Sequence, residues 1–208
     1  AKGTSMLEED DLKFATVAQK VKIEAANIAS GKYKVKKYEE AADYFYKTAI
    51  VNSVLYKTKD TADFYNACIA ATKSKNQEKI IEYNKKMIDA GIPMAYNYQA
   101  IANVYMAKSD TSGAQETLKK GRSIYPDDLA LITDETNIYL AKGQQQEALN
   151  NLKLSSEKDP KNAFYYLMIG ITYDNLANPK DKSTGKDLTK PANFDELFKN
   201  AETNYLKA

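Results

Sequence analysis

The sequence predicts an all-α array of antiparallel helix pairs, and three observations carry that prediction. Residues 95–162 hold nearly the same pattern twice at a spacing of 34 residues, from Tyr105 to Tyr139, Ala114 to Ala148 and Pro126 to Pro160. A fixed period of that size belongs to solenoids whose unit is one helix-turn-helix. Small residues sit beside large apolar ones at helical spacing: Ala102, Ala114 and Ala148 with Tyr98, Leu118 and Leu152. The small ones let two helices approach and the large ones fill the space between. Pro126 and Pro160 cannot continue a helix, so each marks a handover from one pair to the next.

Composition narrows the function classes. The 208 residues suffice for one large domain or a short array with a sizeable core. Lys and Arg number 30 against 28 Asp and Glu, a formal charge of +2, so the balance demands no polyanionic partner. Arg122 is the one arginine, which argues against nucleic acid, because arginine supplies the planar fork for phosphates. There is no His, hence no ready general base near neutral pH and no imidazole metal ligand. Cys68 stands alone and forms no disulfide within the chain. No run approaches the roughly 18 apolar residues of a membrane span, and no stretch reads as a signal peptide with a charged start and an apolar middle. A start at Ala1 and Lys2 without Met favours, by a small margin, an exported chain of the periplasm or cell envelope over a cytoplasmic one.

The doubled pattern resembles the tetratricopeptide repeat. In its first copy Tyr98, Ile101, Ala102 and Tyr105 precede Ala114, Leu118 and Pro126; in its second Ile132, Glu135, Thr136 and Tyr139 precede Ala148, Leu152 and Pro160. The resemblance covers about residues 25–208 and implies a right-handed superhelical array of about five such pairs. Glu135 and Thr136 depart from it, because an apolar residue and a small one are usual there.

Taken in order, residues 1–60 are expected to form irregular N-terminal helices and the first repeat. Ser5 is placed as a cap, and Glu8, Glu9, Asp10 and Asp11 in the first turns suit the helix dipole better than catalysis, since nothing apolar surrounds them. Leu7, Phe14, Val21 and Ile28 recur every seven residues along a helix reaching about Ala29; the stripe suits a coiled-coil seam or, by preference, packing onto the next helix. The Lys-rich stretch Gly31 to Lys37 reads as a solvated turn, and Tyr38 to about Leu55 as a second helix. Repeats follow at 61–94, capped by Asp60 or Thr61, then at 95–128 and 129–162. In the first of these Cys68 fills a small buried position as packing, and Asn84 stands where a large aromatic is usual. A last repeat, 163–208, begins with Tyr166, Ile169, Gly170 and Tyr173, is interrupted by the polar loop 178–193, and resumes at Phe194 with Ala201 and Tyr205. The array ends without a polar capping helix, so the natural chain is expected to continue.

Nothing here assembles a reaction centre, so the expectation is no enzyme, no cofactor and no metal. Thr184-Gly185-Lys186 fails as a phosphate loop because Asp187 replaces Ser or Thr and no upstream Gly stands at the right place. The resemblance implies instead a non-enzymatic scaffold for protein partners, with successive first helices lining a concave groove for an extended peptide or helix. Carried over by position, the groove holds Tyr65, Ile69, Thr72 and Lys73; Tyr96, Gln99, Asn103 and Met106; Ala130, Thr133, Asn137 and Leu140; and Phe164, Leu167, Ile171, Asp174 and Asn175. Some relatives clamp a terminal carboxylate with Lys and Arg there; the polar-neutral residues here do not support that clamp. Asn103 and Asn137 share one register, where an amide can bond a peptide backbone without reading its sequence. Loop 178–193 is a second contact candidate. The alternatives are self-association through the terminal helices, the C-terminal one above all, and a fragment of a larger protein whose catalytic domain lies elsewhere.

Overall fold

A computed structural model describes residues 2–181 and 183–208, with side chains from Asp11 onward. The chain divides into two compact units, Ala1–Asp110 and Thr111–Ala208. The first holds α1 (Lys2–Lys34), α2 (Tyr38–Tyr56), α3 (Thr61–Ser74), α4 (Gln77–Asp89) and α5 (Ala95–Ala107). The second holds α6 (Thr111–Ile124), α7 (Leu129–Lys142), α8 (Gln145–Lys158), α9 (Ala163–Ala177) and α10 (Phe194–Tyr205). Within each unit every helix packs against the next in sequence, as paired helices joined by short turns must. Among the described residues the only strand-like pairing is one antiparallel bridge, Lys180 to Asp187.

Helix boundaries follow the chemistry of their ends. Asp60 caps α3 by accepting from the Asp63 amide at 3.1 Å, and Asn76 caps α4 by accepting from Glu78 and Lys79 at 3.1 and 3.2 Å. Asp128 does the same for α7 at Ala130 and Leu131, both 3.0 Å, and Asn162 for α9 at Phe164. Gly143 closes α7 at φ +70°, a left-handed conformation that costs glycine nothing. The N-terminal helix departs from the sequence reading at both ends. Ser5 lies inside α1 and does not cap it, and the helix continues past Ala29 to Lys34, leaving a turn of only Val35 to Lys37. Tyr33 explains the extension: its ring packs edge-on against Tyr38 at 5.3 Å and Phe45 at 6.3 Å, so tertiary contact carries the helix through Gly31.

The core of the first unit gathers Ala41, Ala42, Ala49, Phe64, Ala67, Cys68, Ala71, Tyr83 and Met87. Small faces of α2 and α3 admit the two large side chains of α4, which is the jigsaw the small-large pattern anticipates. Cys68 is fully buried and burial pushes its thiol up to about 12, so it packs and does not react. The second unit's core includes Leu149, Leu152, Tyr165, Ile169, Tyr173 and Ala201. There α10 closes over α9 at Gly170, where a β-carbon would stand 2.7 Å from the Tyr205 ring.

Both units bury polar side chains, each with partners. In the first, Asn97 of α5 donates to Asn84 of α4 at 2.9 Å, Asn84 donates to the Ile80 carbonyl at 2.8 Å, and Asn97 accepts from the Met94 amide at 2.7 Å. An amide thus occupies the place where the repeat usually holds an aromatic ring, and its bonds tie α4 to α5. In the second, the guanidinium of Arg122 on α6 donates to Glu135 of α7 and, at 2.9 Å, to Asn151 of α8. Asn151 also donates to Glu135 at 3.1 Å, and Thr136 donates to the Ile132 carbonyl at 2.7 Å. The two residues that break the repeat pattern are therefore hydrogen-bonded where they are buried.

Candidate functional site

The first unit offers a cleft of about 310 Å³ along the start of α4 and the length of α5. Its walls bring together four of the residues placed in the groove from the sequence: Thr72, Tyr96, Gln99 and Asn103. Thr72 ends α3 on an exposed turn, and the three α5 residues lie three or four apart, which puts them on one helix face. Ile80, Ala100 and Val104 form the apolar floor. The two hydroxyls of Thr72 and Tyr96 lie 2.7 Å apart, and Thr72 also reaches its own helix at the Cys68 carbonyl, 3.0 Å. Burial raises the Tyr96 phenol above its ordinary range, against the lowering effect of the Thr72 bond, so it stays a neutral hydroxyl. Amides and hydroxyls thus edge the cleft over its apolar floor, and the exposed Lys75 is the one charged side chain on its wall.

The remaining predicted residues fall around that cleft or elsewhere. Tyr65 stands beside it, edge-on to Tyr96 at 5.7 Å. Lys73 is exposed, its ammonium 6.0 Å from the Tyr33 ring, and Met106 is exposed one turn beyond Asn103. Ile69 is half-buried. In the second unit Ala130 and Asn137 are exposed on α7, Leu140 is half-buried, and Thr133 spends its hydroxyl on the Leu129 carbonyl at 2.7 Å. Phe164, Leu167 and Ile171 form an exposed apolar stripe on α9. Asp174 and Asn175, at the end of α9, line a different cavity of about 430 Å³ closed by the 178–193 loop through Asn178, Lys180, Asp187 and Lys190. No residue of α7 lines it.

That loop has its own internal order. The Asp181 carboxylate accepts from the amides and hydroxyls of both Ser183 and Thr184, at 2.7–3.0 Å. These bonds, the Ser183 hydroxyl foremost, pull its pKa down to about 2. Gly185 turns the chain at φ +68°, so the Thr184-Gly185-Lys186 run is a turn built on an aspartate. Among the described residues no group of three or more His, Cys, Asp or Glu is placed to hold a metal, and no helix is long and apolar enough to cross a membrane.

The sequence reading missed the α4 side of the cleft. Gln77 and Ile80 belong to a second helix, which the repeat pattern assigns to packing, yet they wall the cleft where α4 begins. The available signal was the cap: Asn76 starts α4 close behind Thr72, so the first turn of α4 must flank the end of α3.

No protein-family model matches the sequence, and no curated protein does. Solved structures do resemble the fold. YrrB, described as a TPR protein with an unusual peptide-binding site, shares 17% identity over 86% of this chain and 84% of that one, at a TM-score of 0.55. MamA shares 12% identity over 91% of this chain and 90% of that one, at a TM-score of 0.62. MamA from Desulfovibrio magneticus RS-1 shares 14% identity over 90% and 92%, at 0.59. Identities this low speak for backbone architecture only. Helices paired in sequence, small-large packing and this shared backbone together make the fold one of the tetratricopeptide-repeat type.

Proposed function

We propose that the chain is a non-enzymatic protein-interaction scaffold whose first unit takes an extended peptide on the α3/α5 face. The observation that carries the proposal is the cleft itself: Thr72, Tyr96, Gln99 and Asn103 rim an apolar floor with amides and hydroxyls, and Lys75 is the one charged side chain on its wall. Gln99 and Asn103 both donate and accept, which suits an alternating peptide backbone, while the floor of Ile80, Ala100 and Val104 takes one small apolar side chain. Tyr65 and Met106 extend the face beyond the cleft, and Lys73 tolerates an acidic residue at one edge. On α7, Thr133 and Asn137 are assigned the equivalent role within the second unit, and Asp174 and Asn175 a polar contact beside the loop. Peptide binding in YrrB belongs to a protein of the same backbone type and supports the reading by analogy alone.

The test is selection from a displayed library of random linear peptides, followed by titration of the winning peptide. Gln99→Ala and Asn103→Ala each remove one neutral hydrogen-bonding group, worth about 0.5–1.5 kcal/mol, and should weaken binding roughly two- to tenfold with the helical melt unchanged. Because the groups assigned to the peptide backbone are uncharged and Lys75 is the one charge on the wall, raising the salt concentration should change the affinity of an uncharged peptide only slightly. Selected peptides that bind both variants as tightly as the parent chain would refute the assignment.

A further inference from the structure

The helix α1 is too long for its partner. Its 33 residues span about 50 Å and the 19 of α2 about 28 Å. The two run together only to the end of α2, where the Tyr56 hydroxyl donates to Gln19 at 2.9 Å and Lys22 lies over the Tyr56 ring. The N-terminal part of α1 projects beyond that point. Along α1 the residues buried on α2 are Ala25 and Ala29. The seven-residue stripe expected to pack there does so only at the half-buried Ile28: Phe14 is 60% exposed and Val21 48%, with Val17 between them at 61%. Where the stripe passes α2 it walls an apolar cleft of about 480 Å³ with Ile28, Ile50 and Val51.

We infer that this stripe is a homodimer seam, in which two copies of α1 lie antiparallel and the projecting part of each fills the α1/α2 cleft of the other. Both halves of the contact reside on one chain, so a two-fold axis satisfies them together and closes the assembly. Charge selects the occupant and its direction. Residues 2–17 of α1 carry four acidic and two basic side chains, a net −2, whereas residues 18–34 carry four basic and one acidic, a net +3. Antiparallel copies set opposite charges side by side; parallel copies set like against like. The seven-residue spacing from Phe14 through Val21 to Ile28 is the one that keeps a seam facing a second helix. None of these residues belongs to the α3/α5 face, so the inference stands apart from peptide binding.

Light scattering across a concentration series tests it on the full chain. The expected result is a dimer that becomes a monomer in Phe14→Glu and in Val21→Glu, both exposed positions, with the helical signal retained in each. Spin labels on cysteines introduced at Val17 and, separately, at Ser30 read direction, since Cys68 is buried and stays unlabelled. An antiparallel seam brings the two Val17 labels close and leaves the Ser30 labels far apart. A monomer at every concentration, a dimer indifferent to both glutamates, or close distances at both label sites would each overturn the inference.

Discussion

The two units solve one problem with different chemistry. Each buries polar side chains where helices meet, but the first does it with a neutral pair, Asn84 and Asn97, and the second with an ion pair, Arg122 and Glu135, bridged by the Asn151 amide. Neutral amides lose little on leaving water when bonded, and orphaning one costs a modest amount. Buried ions lose much more, and orphaning one is severe. The comparison teaches that a shared repeat geometry leaves room for unequal sensitivity: the second unit depends on one charge, while the first spreads its polar burden over several ordinary bonds.

The largest effect should come from removing that charge. Arg122→Ala leaves Glu135, only 9% exposed, without its cation, and should cost about 3–5 kcal/mol in the second unit. Urea unfolding, read together with amide hydrogen exchange, should show the loss in α6–α8 with α2–α5 still protected. Asn97→Ala in the first unit should cost less, about 1–3 kcal/mol, by leaving Asn84 and the Met94 amide short of partners. Equal costs for the two variants would erase the contrast.

Smaller effects sharpen it. Gly170→Ala puts a methyl group 2.7 Å from the Tyr205 ring and should loosen α10 from α9 by about 1–3 kcal/mol. Slow-exchanging amides in α10 should then exchange faster than in the parent chain. The smallest change is confined to the 178–193 loop. Asp181 titrates at about 2 in the fold against 3.8 ordinarily. A depressed carboxylate contributes above the unfolded value, so the turn should be intact above pH 4 and lost as the pH falls through about 2. The Ser183 and Thr184 amide resonances report it; a midpoint near 4 would mean the hydrogen bonds do not form.

Much of this fold was legible in the sequence, because period and residue size are local properties. The spacing of Ala102, Ala114 and Ala148 reports helix packing without knowledge of partners. The polar core was not legible in the same way. Glu135 and Thr136 read as faults in the repeat, since the partner of Glu135 lies on another helix, 13 residues earlier. The clue was present: a lone arginine and an acid at an apolar position each require a counter-charge. Helix α1 failed for the opposite reason. Its seven-residue stripe is real, but a stripe states that a face wants covering and not which helix covers it. For the candidate site, Thr72, Gln99 and Asn103 were readable from register on first helices, whereas Ile80 and Gln77 depend on how α4 starts beside them.

The central claim is that the repeat presents a surface in place of a reaction centre, and amide-resolved NMR titration with a library-selected peptide tests it most directly. The account predicts shifts concentrated in α3 and α5, from Tyr65 to Lys73 and from Tyr96 to Met106, with the Asn103 side-chain amide moving among the most. Shifts that spare those two helices would contradict it.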